Sequence, residues 1–326
     1  MTTIAIGDGS HAEGETTMAE GYGSHAEGYK TLTASIYSHA EGYQNEIRNT
    51  IPTGSSSGGS SEGSDSGSSS DPSDNWSDDD NLGSMAHVEG AGNVAYGVAS
   101  HVEGKNNTVY AHVGHAQGDG NTIGSSTDRS AGRGSFTSGF NNVITGVGSS
   151  ALGSSNSISS DYSLVSGVSN SATGEGAFAS GKNNKALSLY CGAIGYNNTV
   201  NSKYSLAVGA GNSTQKDFSL ACGDGCVTQA TRSQAFGLGN TAWSENSMVV
   251  GKYSKSTNVL QSSHLFIVGN GTSDTNRKNA FEVLLDGRAK VQSAPTEDDD
   301  VVRLKELNDT KNSLMSFINL NAGLIS

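Results

Sequence analysis

Ser149-Ser150-Ala151-Leu152-Gly153, Ser163-Leu164-Val165-Ser166-Gly167, Ser205-Leu206-Ala207-Val208-Gly209 and Ser219-Leu220-Ala221-Cys222-Gly223 are copies of one pattern, S-x-A-x-G or a close variant of it. Between Ser135 and Gly251 the closing glycine returns at 139, 153, 167, 181, 195, 209, 223, 237 and 251, at equal intervals throughout. Self-similarity at a fixed short period is the signature of a repeat architecture. Half a period out of phase runs a weaker half-repeat opened by asparagine, as in Asn141-Asn142-Val143-Ile144 and Asn170-Ser171-Ala172. One period therefore holds two strands and two turns. Side chains alternate along a strand, so Ser and Ala share one face and the two x positions share the other. Gly and Asn supply the positive-φ corners. Helix is a poor competitor, given the Gly, Ser, Asn and Thr content and an apolar spacing of two rather than 3.6.

A coil this short predicts an interior of Ser, Ala and other small side chains. The x positions carry the bulk: Leu164, Phe178, Leu206 with Val208, Leu220 with Cys222, and Met248 with Val250. A ribbon with such a face cannot bury it alone and must pack on another copy. The pattern thus predicts an obligate homo-oligomer.

Tandem S-x-A-x-G of period 14 resembles the YadA-like head repeat of the trimeric autotransporter adhesins, which also occurs in bacteriophage tail-fibre and appendage proteins. The resemblance covers Ile4 to Gly42 and Ser84 to Gly251. It implies an all-β, left-handed parallel β-roll and a homotrimer with three rolls around a threefold axis, to which the residues beyond 251 add a small β cap and a short C-terminal helix. It bears on function only by association.

Of 326 residues, 33% are hydrophobic and 6% aromatic, too few for a large conventional core, whereas a solenoid grows by adding coils. The net charge of −13 and the lack of a basic stripe argue against nucleic acid and anionic membrane as partners. Cys191, Cys222 and Cys226 sit inside repeats and read as small thiols rather than a disulfide or zinc framework.

Residues 1–51 form a His/Glu-rich block. Its copies are Ser10-His11-Ala12-Glu13-Gly14, Ser24-His25-Ala26-Glu27-Gly28 and Ser38-His39-Ala40-Glu41-Gly42. The variant continues at His87-Val88-Glu89, His101-Val102-Glu103 and His115-Ala116-Gln117. This gives two ladders, His11/His25/His39 and His87/His101/His115, at the x positions that would face partner chains. Two readings stand side by side. Three imidazoles around a trimer axis would hold a divalent transition metal, or an anion once protonated. Alternatively, His and Glu hydrogen-bond across chains and set register with no ion.

Residues 52–83 break the repeat with an acidic, Gly/Ser-rich segment of seven carboxylates and no Lys or Arg. Such composition cannot order itself by apolar burial. It reads either as a solvated loop or as a receptor-touching loop anchored by Trp76, and its Asp/Asn cluster lacks the spacing of a dedicated calcium loop. Residues 84–251 continue the roll. Residues 252–293 read as a β cap with an Asp286-Gly287 hairpin turn, and 294–326 as a helix and trimer clasp with a seam of Leu304, Leu307, Lys311, Leu314 and Ile318. Tyr162, Tyr190, Tyr196, Tyr204 and Trp243 fall at or near turns, as strand-end covers or glycan-stacking surfaces.

Met1-Thr2-Thr3-Ile4 enters the repeat at once, without the charged and apolar regions of a secretion signal. With no stretch of membrane-span length, the expectation is a virion protein, extracellular after release, rather than a bacterial surface adhesin. A narrow roll offers no cleft, and the His-Glu pairs repeat too regularly for one active site, so no enzyme is expected. The functions expected are a trimeric phage fibre that contacts a bacterial receptor or glycan, or a structural spacer, collar or capsid fibre bound only to other virion proteins.

Overall fold

The computed structural model describes residues 2–49, 83–128, 130–255, 264–297 and 300–322. The chain divides into two compact units, residues 1–197 and 198–326. Trp76 and nearly all of the acidic segment lie outside the described residues.

The first unit is a parallel β-solenoid. Each coil has a five-residue strand, such as Ser150–Ser154 or Leu164–Val168, and a two-residue strand, such as Val143–Ile144 or Ser157–Ile158. The five-residue strands stack parallel and in register, so that Gly139, Gly153, Gly167, Gly181 and Gly195 form one column. The two-residue strands form a second parallel sheet half a period out of phase, with Val143 on Ser157 and Ser157 on Ser171.

The alternation sorts the faces as expected: Ala26, Ala40, Ala116, Ala151 and Ala179 are fully buried, and most of the motif serines are buried with them. The interior is not restricted to small residues, however. Ile47, Ile123, Ile144 and Ile158 are among the largest buried side chains, together with Val88, Val102, Val109 and Val165. In several coils the two sheets trade volume, although Val102 with Val109 and Ala179 with Ala186 do not. Ala40, Ala116 and Ala151 have isoleucine half a period on, at 47, 123 and 158, whereas Val88 and Val165 have Ala95 and Ala172. A small residue on one wall leaves room for a branched one on the other, which keeps the narrow interior filled.

The motif glycine is not a corner. It is the fourth residue of the five-residue strand, at φ +110° for Gly153 and +112° for Gly167. The corners hold other positive-φ residues, Tyr162 at 55°, Asn141 at 53° and the β-branched Val113 at 56° among them. The asparagine pairs divide their labour. Asn141 takes the positive φ, while Asn142 is buried in a polar column. In that column Asn107 donates through Nδ2 to the carbonyls of Glu103 (2.9 Å) and Gly118 (2.8 Å), and its Oδ1 accepts from the backbone N–H of Asn121 at 2.9 Å. The donation to the next coil's glycine carbonyl recurs at Asn93, Asn142, Asn156, Asn170 and Asn184. Each coil's turn is thereby tied to the next, satisfying amides and carbonyls that the two-residue strands cannot pair.

Two insertions leave the register intact. The step from Gly42 to Gly90 is more than three periods, yet His39–Tyr43 pairs directly with His87–Ala91. The step from Gly118 to Gly139 is one and a half periods, and the extra half-period leaves a single coil, with His115 opposite Phe136.

In the second unit Leu206–Ala210, Leu220–Asp224, Gln234–Leu238 and Met248–Lys252 stack in the same way. Here Cys226 occupies the asparagine slot. Its N–H donates to Asn212 Oδ1 at 2.8 Å and its thiol lies 3.3 Å from the Gly237 carbonyl. All three cysteines are free thiols, and burial pushes Cys191 and Cys226 up in pKa. The strand His264–Asn270 reads in sequence as part of the cap but is one more coil of the roll, with Gly251 opposite Gly269. Asn279–Leu284 pairs antiparallel to it and Ala289–Val291 antiparallel to that, through a turn at Asp286 and Gly287 (φ 85°). Reversing the strand direction ends the parallel stack and covers its edge. The helix Leu304–Ala322 follows, with Leu304, Leu307, Leu314 and Ile318 all exposed.

Candidate functional site: the histidine column

The two x positions of each five-residue strand point out of the interior on one face. In-register stacking converts their recurrence into columns. His11, His25, His39, His87, His101 and His115 lie on one line, and Glu13, Glu27, Glu41, Glu89, Glu103 and Gln117 on the next. The two ladders expected from sequence are thus one, because the chain re-enters the roll in register at residue 83. Ring centroids are 4.7 Å apart for His25–His39, 5.1 Å for His39–His87 and His87–His101, and 4.6 Å for His101–His115, all near-parallel. His11 meets His25 edge-on at 4.9 Å, and His115 ends the column edge-on against Phe136 at 5.0 Å. Beyond this point the histidine position holds Ser150, Leu164, Phe178 and Gly192, and the glutamate position Leu152, Ser166, Ser180 and Ile194.

Burial first, then His25 and His87, hold the His39 imidazole below its ordinary value of 6.5, against the opposing pull of Glu41 and Glu27. Burial, then His101, does the same to His115, with Glu103 opposing. The Nε2 atoms of His25, His39, His87 and His115 are buried without a hydrogen-bond partner. His25 Nε2 lies 3.9 Å from Glu27 Oε2, beyond hydrogen-bond range. Ligand atoms of His25, Glu27 and His39 lie within 4.8 Å of one another, a convergence that recurrence of the motif alone did not reveal.

A lowered folded-state value means that the unfolded chain binds the proton more readily. The stability contributed by neutral His39 and His115 is therefore whole above pH ~6.5 and shrinks as pH falls toward the folded-state values. The urea midpoint of the chain should drop between pH ~7.5 and ~5.5. Replacing His39 and His115 with glutamine should flatten that drop, and an unchanged slope in the double variant would remove these imidazoles as its cause.

Trp76, the residue expected to anchor a receptor contact, lies outside the described residues. Tyr162, Tyr190, Tyr196 and Tyr204 are all exposed, the first, second and fourth at positive-φ corners. Among the described residues no helix is long and apolar enough to cross a membrane. No family model matches the chain, and no curated protein matches it significantly.

Proposed function

We propose that the chain is one subunit of a homotrimeric virion fibre, built of left-handed rolls packed on their x faces, that attaches a phage particle to the bacterial surface. The observation that carries this reading is the open x face. Leu152 and Leu164 in the first unit and Leu206 in the second are 38%, 42% and 36% exposed although they recur on one face of each sheet. Apolar side chains at the x positions of neighbouring coils, Leu164 beside Phe178 in the first unit and Leu206 beside Leu220 in the second, make a surface that a second and third copy of the same face would cover. The exposed seam of Leu304, Leu307, Leu314 and Ile318 adds a helix suited to clasp such an assembly. The tail-fibre association comes from the S-x-A-x-G resemblance. Attachment would work by avidity, threefold presentation raising weak individual contacts, and the segment 52–82 with Trp76 is the part assigned to the receptor.

Light-scattering mass and binding to host cells test this together. The expected result is a mass of about three chains, with cell binding that is lost when residues 52–82 are deleted and the mass is unchanged. A trimer that binds no cells would make the protein a virion spacer. A monomer would end the fibre reading.

A further inference from the structure

We propose that His25, Glu27 and His39 form a transition-metal site of the zinc class, built between two adjacent coils of a single chain. The site does not rest on the trimer reading. His25 and Glu27 are two apart on one strand and so share a face, and in-register stacking sets His39 opposite His25 on the next coil. One ligand atom from each residue lies within 4.8 Å of the other two. The Nε2 atoms of His25 and His39 are buried and make no hydrogen bond, so each is a nitrogen with its bonding capacity unused. Two imidazole nitrogens and one carboxylate oxygen are a donor set that zinc and its neighbours accept, with a fourth position left for water.

Donor distances to zinc are about 2.0–2.2 Å, so the three groups must close in around the ion. The two rings are stacked 3° from parallel, so coordination would require one imidazole to turn out of the stack. The neighbouring glutamates decide the sign of the ligand. Glu13, Glu27, Glu41, Glu89 and Glu103 stand in register along the face, and like charges spaced by one coil favour a bound cation over an anion. The same spacing recurs further along, but Glu41 and Glu89 are exposed, and Glu103 accepts a hydrogen bond from Gln117 at 3.2 Å. Among the described residues, convergence of three ligand atoms is confined to the His25–His39 tier.

Zinc chloride titrated calorimetrically into the chelator-treated full chain tests the assignment. One zinc per chain is expected, with a raised unfolding midpoint because the ion binds the folded state. Glu27→Gln keeps the side chain's size, and should weaken zinc binding at least about 100-fold, the upper end of what losing even an outer-sphere partner costs. His39→Gln should do the same, and His101→Gln should leave affinity unchanged. Circular dichroism matching the parent assigns the loss to the ligand rather than to folding, and Glu27→Gln carries the test if His39→Gln misfolds. No zinc binding, one zinc per three chains, or undiminished binding in Glu27→Gln would overturn the site.

Discussion

Replacing Gly167 with alanine should destabilise the first unit by about 4 kcal/mol, in the exceptional range for a point change. Gly167 sits at φ +112°, where L-residues are strained, and a Cβ built on it would lie 2.0 Å from the Gly181 carbonyl oxygen of the next coil. Neither atom is on a flexible side chain. The coils would have to move apart, and the backbone hydrogen bonds between Leu164–Val168 and Phe178–Lys182 lengthen accordingly. Gly134→Ala is the control. Its φ is +65° and nothing lies within 4 Å of the added Cβ, so only the backbone preference is lost, about 1 kcal/mol. Urea unfolding of both variants decides it. Equal midpoints would mean that the close approach of coil backbones is not what demands glycine.

The second large effect is expected at Asn156. Its Nδ2 donates to the carbonyls of Leu152 (2.9 Å) and Gly167 (3.0 Å), and its Oδ1 accepts from the Asn170 backbone N–H at 3.0 Å. Alanine removes these at a buried position, together with the bonds to Asn142 Oδ1 (3.1 Å) and from Asn170 Nδ2 (3.3 Å), and leaves the Asn170 backbone N–H without its acceptor; at about 1–3 kcal/mol for each buried group left unsatisfied, a loss of about 3–5 kcal/mol is expected. Asn156→Asp keeps the shape but cannot donate, and sets a carboxylate against two carbonyl oxygens; it should be at least as damaging as alanine. Asn156→Cys should be milder, since Cys226 fills the equivalent slot with its thiol against a carbonyl. An aspartate variant as stable as the cysteine variant would show that the donated bonds contribute little.

Parts of this were legible in the sequence and parts were not. The recurring glycine was visible, but its reason was misplaced, because a period shows that a residue is required and not what it lies against. The asparagine pairs read as corner residues, and Asn141 is one. The buried role of Asn142 had a signal of its own: the second position stays Asn at 93, 121, 156 and 170 even where Gly92, Gly120, Ser155 and Ser169 replace the first. The isoleucines escaped because the interior was inferred from one wall. The volume exchange between Ala151 and Ile158 exists only once both sheets face each other.

The sequence by itself determined the coil length, the alternation that sends Ser and Ala inward and His, Glu and Leu outward, and the end of the regular period near residue 252. These follow from local geometry, since a strand of period two and a glycine once in every coil leave few alternatives. Only the tertiary structure decided which residues touch across coils. It set His39 on His87 across the long insertion and His115 on Phe136 across the short one, and it joined His25, Glu27 and His39 into one cluster. The reason is physical: contact in a parallel stack is set by hydrogen-bond register. An insertion that loops out and returns in register brings distant residues together at the same spacing as adjacent repeats.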